Sequence, residues 1–185
     1  TSTAGGAGGD SYGWVNRELI ASGQTALHIN VFGGEDRFWL GPEGGQFSVF
    51  FAKGATFDLA HWFTPAAIDT EPFEIVSQAQ DRVLCRRSIH LTNFSGTAFE
   101  LEVNRELRLL NAADTMSSLG LRLPKGVASV AFESSNSVGN AGPDNENLGV
   151  NVVTCCGGDG GPGMIQIHVG RLSNTAALSD LKIPS

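Results

Sequence analysis

Residues 83–110, VLCRRSIHLTNFSGTAFELEVNRELRLL, decide the fold. By strict alternation Val83, Cys85, Arg87, Ile89 and Leu91 share one face, and Phe99, Leu101, Val103, Arg105, Leu107 and Leu109 share another. A period of two marks a strand with one buried side. If Leu91 opposes Phe99, the same register pairs Ile89 with Leu101 and His90 with Glu100. Phe94-Ser95-Gly96 is then a three-residue loop with glycine where a left-handed residue is needed. The return strand runs about a dozen residues against a usual five or six, which suits the broad, curved sheets of a large antiparallel sandwich better than a small barrel.

The composition points the same way. With 185 residues and 41% hydrophobic content the chain is long enough to bury one real core. Its 24 glycines and 11 phenylalanines against 2 methionines favour strands joined by tight turns, so the class is all-β. Residues 1–185 read as a single domain, with residues 1–11 a mobile terminus of glycine and small residues and residues 141–185 an atypical glycine-rich end. Leu27 to Phe32 reads as a strand with Leu27, Ile29 and Val31 on one face and His28 and Asn30 on the other. Gln46 to Phe51 and Phe57 to Phe63 supply apolar and aromatic residues around a Lys53-Gly54 turn, with Trp62 and Phe63 expected in the core. Pro65 and Pro72 argue against helix in the stretch that follows. The C-terminal part offers two short strands, Val150 to Thr154 and Met164 to Val169.

Several function classes are excluded. A formal net charge of -7 and a pI near 5.0 would repel a phosphate backbone, and only Arg86-Arg87 clusters positive charge, so nucleic acid is not a partner. Cys85 and the vicinal Cys155-Cys156 can neither form a disulfide framework nor supply the four-ligand spacing of structural zinc, so no metal and no cofactor is expected. That vicinal pair is the one hint of redox or metal chemistry. No run of about 18 apolar residues marks a membrane span. The serine-hydrolase elbow, the zinc-protease helix and the Walker loop are all missing. A start at Thr1 without a signal region reads as a removed leader or a fragment.

Charge, aromatics and turn formers concentrate in GGEDRFWLGPEGG, residues 33–45, which reads as an irregular loop or strand edge, where sites usually live. Sugar recognition needs flat aromatic surface and carboxylate or guanidinium groups for hydroxyls, and this segment offers Glu35, Asp36, Arg37, Trp39 and Glu43. The structural alternative has Arg37 pairing with Glu35 or Asp36 to pin the loop, while Trp39 fills the core. Arg105, on an apolar strand face, needs either an ion-pair partner or a cleft holding a hydroxyl-rich or anionic ligand. His61 and His90 are the histidines suited to proton transfer at neutral pH, although His90 with Glu100 is equally a solvent-side cross-strand pair. Glu35, Asp36, Glu43, Asp69 and Glu71 form the carboxylate pool for glycoside chemistry.

The segments Gly13-Trp14-Val15-Asn16, residues 33–47, Asp69-Thr70-Glu71-Pro72-Phe73 and Leu91-Thr92-Asn93-Phe94-Ser95-Gly96-Thr97 together resemble an uncharacterised bacterial family with the galactose-mutarotase-like sandwich fold. The resemblance runs from roughly Trp14 to Asn140. It implies a β-sandwich of the mutarotase supersandwich type, here a truncated, frame-altered or pared-down version, and a bacterial, periplasmic or secreted location if a leader is removed. It also implies a mono- or oligosaccharide ligand and acid-base chemistry at its anomeric centre, glycosidase-like or aldose epimerase-like. Glu43, His61 and Glu35 are the expected catalytic residues. Arg37, Asp36, Trp39, Arg105 and His90 are expected to bind substrate. Leu91-Thr92-Asn93 is similar to a mutarotase strand whose next residue is the working histidine, and Phe94 stands there instead. That departure motivates the alternative of a non-catalytic carbohydrate-binding module, and the short length motivates a further one, a partial domain completed by a second copy.

Overall fold

A computed structural model describes residues 13–120, 122–127, 129–141, 149–158 and 161–169, the last two ranges as backbone only. The expectation for residues 1–11 lies outside these residues. The protein is all-β with short helices. Its strands are β1 (Arg37–Gly41), β2 (Glu74–Gln78), β3 (Arg82–Thr92), β4 (Ala98–Leu110), β5 (Ala131–Asn140), β6 (Gly149–Gly158) and β7 (Gly161–Val169). They form a four-stranded sheet in the order β2-β3-β4-β5 and a three-stranded sheet in the order β1-β6-β7. Every pairing is antiparallel.

The β3–β4 hairpin has the register read from its alternation, with Leu91 opposite Phe99, Ile89 opposite Leu101 and His90 opposite Glu100. Gly96 takes φ +92°, a conformation open to glycine at little cost. The Asn93 N–H donates to Thr97 O at 3.0 Å, and the Asn93 side chain accepts the Thr97 N–H at 2.9 Å. The tip then docks on the preceding segment, with Phe94 N–H donating to Ser48 O and Ser95 N–H to Gln46 O.

The core joins the two sheets. Phe38, Trp39 and Leu40 of β1 and Ile89, Phe99, Leu101 and Val103 of the hairpin are buried in one cluster with Val49, Phe50, Phe51 and Ile68. Three consecutive buried residues in β1 mean that both of its faces are covered.

Short helices surround this frame. Helix α1 (Arg17–Ser22) is capped by the Asn16 side chain and closed by left-handed Gly23, and α3 (Ala112–Leu119) is capped by Asn111 and closed by left-handed Gly120. Neither was legible from apolar periodicity, because each is too short to show one. Helix α2 (Ala66–Asp69) begins just after Pro65, so the proline expected to oppose helix starts one instead, its fixed φ suiting a helix N-terminus.

Other expectations fail for identifiable reasons. Residues 27–32 form no strand; Leu27 is 77% exposed and Asn30 1% exposed, the reverse of the alternation, while Ile29 packs against the core. Asn30 is drawn inward by hydrogen bonds to Ala26 and Asp69. Phe63 is exposed and stacks on His28 at 4.6 Å, whereas Trp62 packs on the core. The polar run from Ala131 is strand β5, paired along its whole length with β4. Its backbone is recruited by an edge that needs a partner, whatever its side chains prefer.

Candidate functional site

Strand β1 separates the expected site residues. Because side chains alternate along a strand, Asp36 and Phe38 project to one side and Arg37 and Trp39 to the other. The segment expected as a single charged loop therefore supplies two environments.

On the first side, Asp36 Oδ2 accepts from Arg105 Nη2 at 2.5 Å. Arg105 Nε donates to Asn136 Oδ1 at 2.7 Å, and Asn136 Nδ2 donates to Ser134 Oγ at 2.9 Å. The guanidinium lies near the rings of Phe38 and Phe73, 5.7 Å and 6.0 Å from their centroids. Asn136 and Cys85 face Arg105 directly across β5 and β3. Arg105 is 15% exposed and Asp36 9%, and Asp36 Oδ1 has no hydrogen-bond partner among the described residues. Burial pulls the Arg105 pKa below its ordinary value, and the charge of Asp36 opposes that pull. The guanidinium remains charged at any physiological pH.

Arg105 also marks where this sheet face opens. Val103 on its core side is fully buried, Leu107 beyond it is part-exposed, and Leu109 is 53% exposed. Cys85, Ser134 and Asn136 beside it are each part-exposed.

On the second side, Arg37 Nη2 donates to Asp69 Oδ1 at 2.6 Å and Nη1 to Asn30 O at 3.0 Å. Asp69 also accepts from the Asn30 backbone and side chain, and it forms an ion pair with Arg37. The Arg37 guanidinium lies over the Trp39 ring at 4.6 Å, a cation–π contact. Trp39 Nε1 donates to Glu43 Oε1 at 2.9 Å. Its ring packs on Phe50 at 5.1 Å, and Phe50 stacks on Trp62 at 5.4 Å. Trp39 thus packs into the core against Phe50 and is joined to exposed Glu43 at its polar edge.

The remaining expected residues are dispersed. His61 ends an exposed 3-10 turn, Leu59–His61, where Nδ1 lies 2.7 Å from Asp58 Oδ1 and 3.0 Å from Thr56 Oγ1. His90 is exposed and 4.0 Å from Glu100, a solvent-side cross-strand pair. Glu35 lies over Gly13, where an added Cβ would meet its Cγ at 2.5 Å. Phe94 packs against Phe57 at 4.6 Å. The structure brings Asp36 to Arg105, Arg37 to Trp39 and Trp39 to Glu43. Glu43 and His61 are held by separate partners.

Asn136, Phe73 and Asn30 belong to these two environments and were not among the expected site residues. Phe73 lies in one of the motif segments, as do Asp69 and Glu71. Glu71 accepts from Arg87 of β3. Two arginine–carboxylate pairs, Arg105–Asp36 and Arg87–Glu71, thereby tie residues 36 and 71 to the four-stranded sheet, and a third, Arg37–Asp69, ties their two segments to each other. Among the described residues no group of three or more His, Cys, Asp or Glu could hold a metal ion, and no helix is long and apolar enough to cross a membrane.

These features define an all-β protein in which residues 36 and 71, from two of the motif segments, are joined by ion pairs to an antiparallel sheet. The chain belongs to the family of unknown function DUF6786, which matches residues 1–152. No curated protein and no solved structure matches it significantly.

Proposed function

We propose that this chain is a carbohydrate-active protein of the galactose-mutarotase-like sandwich class, and that it recognises a mono- or oligosaccharide on the open end of the β2–β5 sheet face. The observation that supports this reading is the meeting of carboxylate, guanidinium, amide and aromatic groups at Asp36, Arg105, Asn136 and Phe73, where that face passes from buried to open. A polyhydroxylated ring suits such a place, since its hydroxyls both donate and accept while its C–H faces cover apolar side chains. The residues suited to proton transfer have other partners, Glu43 on Trp39 and His61 on Asp58, which favours recognition over turnover.

Chemistry at the anomeric centre is the second reading. Its candidate acid or base is Glu43, an exposed carboxylate.

One-dimensional NMR of freshly dissolved anomers and a panel of aryl glycosides, with the protein and its Glu43→Gln variant, tests both. Saturable line broadening without exchange or cleavage supports recognition alone. Accelerated exchange or cleavage that Glu43→Gln abolishes supports the enzyme. No broadening and no turnover across the panel overturns both.

A further inference from the structure

Arg105 lies on β4 between buried Val103 and part-exposed Leu107, where the sheet face opens, and its chemistry depends on Asp36. Asp36 has one partner among the described residues, Arg105 Nη2 at 2.5 Å, and its other oxygen is buried without one. The carboxylate is therefore committed to this guanidinium. It lies 9% exposed behind a guanidinium that is 15% exposed, so solvent does little to screen either charge. Arg105 uses Nε for Asn136 and Nη2 for Asp36, and Nη1 is the guanidinium nitrogen engaged by neither.

We propose that Asp36 is a specificity-determining positioning residue that sets the Arg105 site for neutral sugars and against uronic acids. This rests on the carbohydrate reading above. An arginine facing a ligand with its charge uncompensated attracts a carboxylate bidentately. Here Asp36 already neutralises it, so a uronate would place a second carboxylate on one guanidinium and meet the repulsion of the first. A sugar hydroxyl takes the Nη1 hydrogen bond without that repulsion. Asn136 and Ser134, neutral and part-exposed beside it, extend the row with further hydroxyl partners.

The test is isothermal titration of the full chain with methyl glucoside, methyl galactoside and the corresponding methyl uronates. It is read with protection of Cys85 from alkylation, located by peptide mass spectrometry, since Cys85 faces Arg105 across the hairpin. The wild type is expected to bind a neutral glycoside and to protect Cys85. Asp36→Asn is expected to raise the uronate-to-neutral affinity ratio by about tenfold or more. Asn136→Asp, at a part-exposed position, adds charge beside the guanidinium and is expected to lower that ratio, which keeps the proposal testable if Asp36→Asn does not fold. Sugar binding with an unchanged ratio in both variants, or without Cys85 protection, overturns this inference and leaves the carbohydrate reading standing. The absence of binding to any of the sugars overturns both.

Discussion

Asp36, in the residue before β1, and Arg105, in the middle of β4, meet at 2.5 Å across a separation of 69 residues. Both are largely buried, and the pair holds the motif segment of residues 33–47 on the four-stranded sheet. Removing one partner of such a pair strands a buried charge. Arg105→Met is expected to cost about 3–5 kcal/mol, and the Asp36→Asn, Arg105→Met double variant less than the sum of the single changes. Urea denaturation of the four proteins measures the coupling, and strict additivity would refute it.

Asp69 organises the opposite side of β1. It accepts from Asn30 and from Arg37, so Asp69→Ala leaves a buried amide and a guanidinium without their acceptor. A loss of about 3 kcal/mol is expected. A thermal midpoint equal to the wild type would show that the network is dispensable.

Phe99 and Leu109 lie on one face of one strand, the first buried and the second 53% exposed. Phe99→Ala is expected to destabilise by about 3–5 kcal/mol through cavity formation, Leu109→Ala by under about 1 kcal/mol. Equal losses in chemical denaturation would mean that the sheet face does not open where the structure places the opening.

Gly33 takes φ +76°, and an added Cβ would meet Trp14 O at 2.3 Å, whereas Gly23, at φ +62°, has nothing within 4 Å. Gly23→Ala is expected to cost about 1 kcal/mol from backbone strain alone. Gly33→Ala must in addition push apart the bridge between Val15 and Gly33, so its thermal midpoint should fall well below that of Gly23→Ala. Equal midpoints would contradict the close approach.

The Asp58 carboxyl is held below its ordinary value of 3.8, chiefly by the Thr56 hydroxyl and then by His61. A depressed folded-state pKa contributes stability that is present above the unfolded value and lost as pH falls through the folded one. Asp58→Asn is therefore expected to flatten the acid limb of the stability curve below about pH 4 and to change little near neutrality. The group is fully exposed, so added salt should shrink the effect. An unchanged acid limb would count against it.

The hairpin was legible because its information is local. Alternation over two long strands and one glycine-bearing turn specify a register that a slip by one residue would ruin. The need of Arg105 for a partner was legible for the same reason, as a charge out of place in an apolar row. Its partner was not, since nothing local distinguishes Asp36 from Glu35. In β1 the run Phe38-Trp39-Leu40 conceals the alternation, because a strand covered on both faces shows no period. Residues 35–43 consequently looked like one site, and the two candidate environments emerge only when the strand turns Asp36 one way and Arg37 and Trp39 the other. Asn30 was placed outward by pattern and lies inward, held by an aspartate 39 residues away.

By itself, then, the sequence determined an all-β chain, the register of its central hairpin, the turn at Gly96 and the requirement of Arg105 for a counter-charge or a cleft. Only the tertiary structure decided that Asp36 meets Arg105, that Asp69 takes Arg37, that Trp39 is tied to Glu43, and that His61 stands at the surface with Asp58. The physical reason is range. Strand period and turn chemistry act between near neighbours in the chain, whereas an ion pair or a hydrogen bond is settled by distance in space, which the chain specifies only once its core has packed.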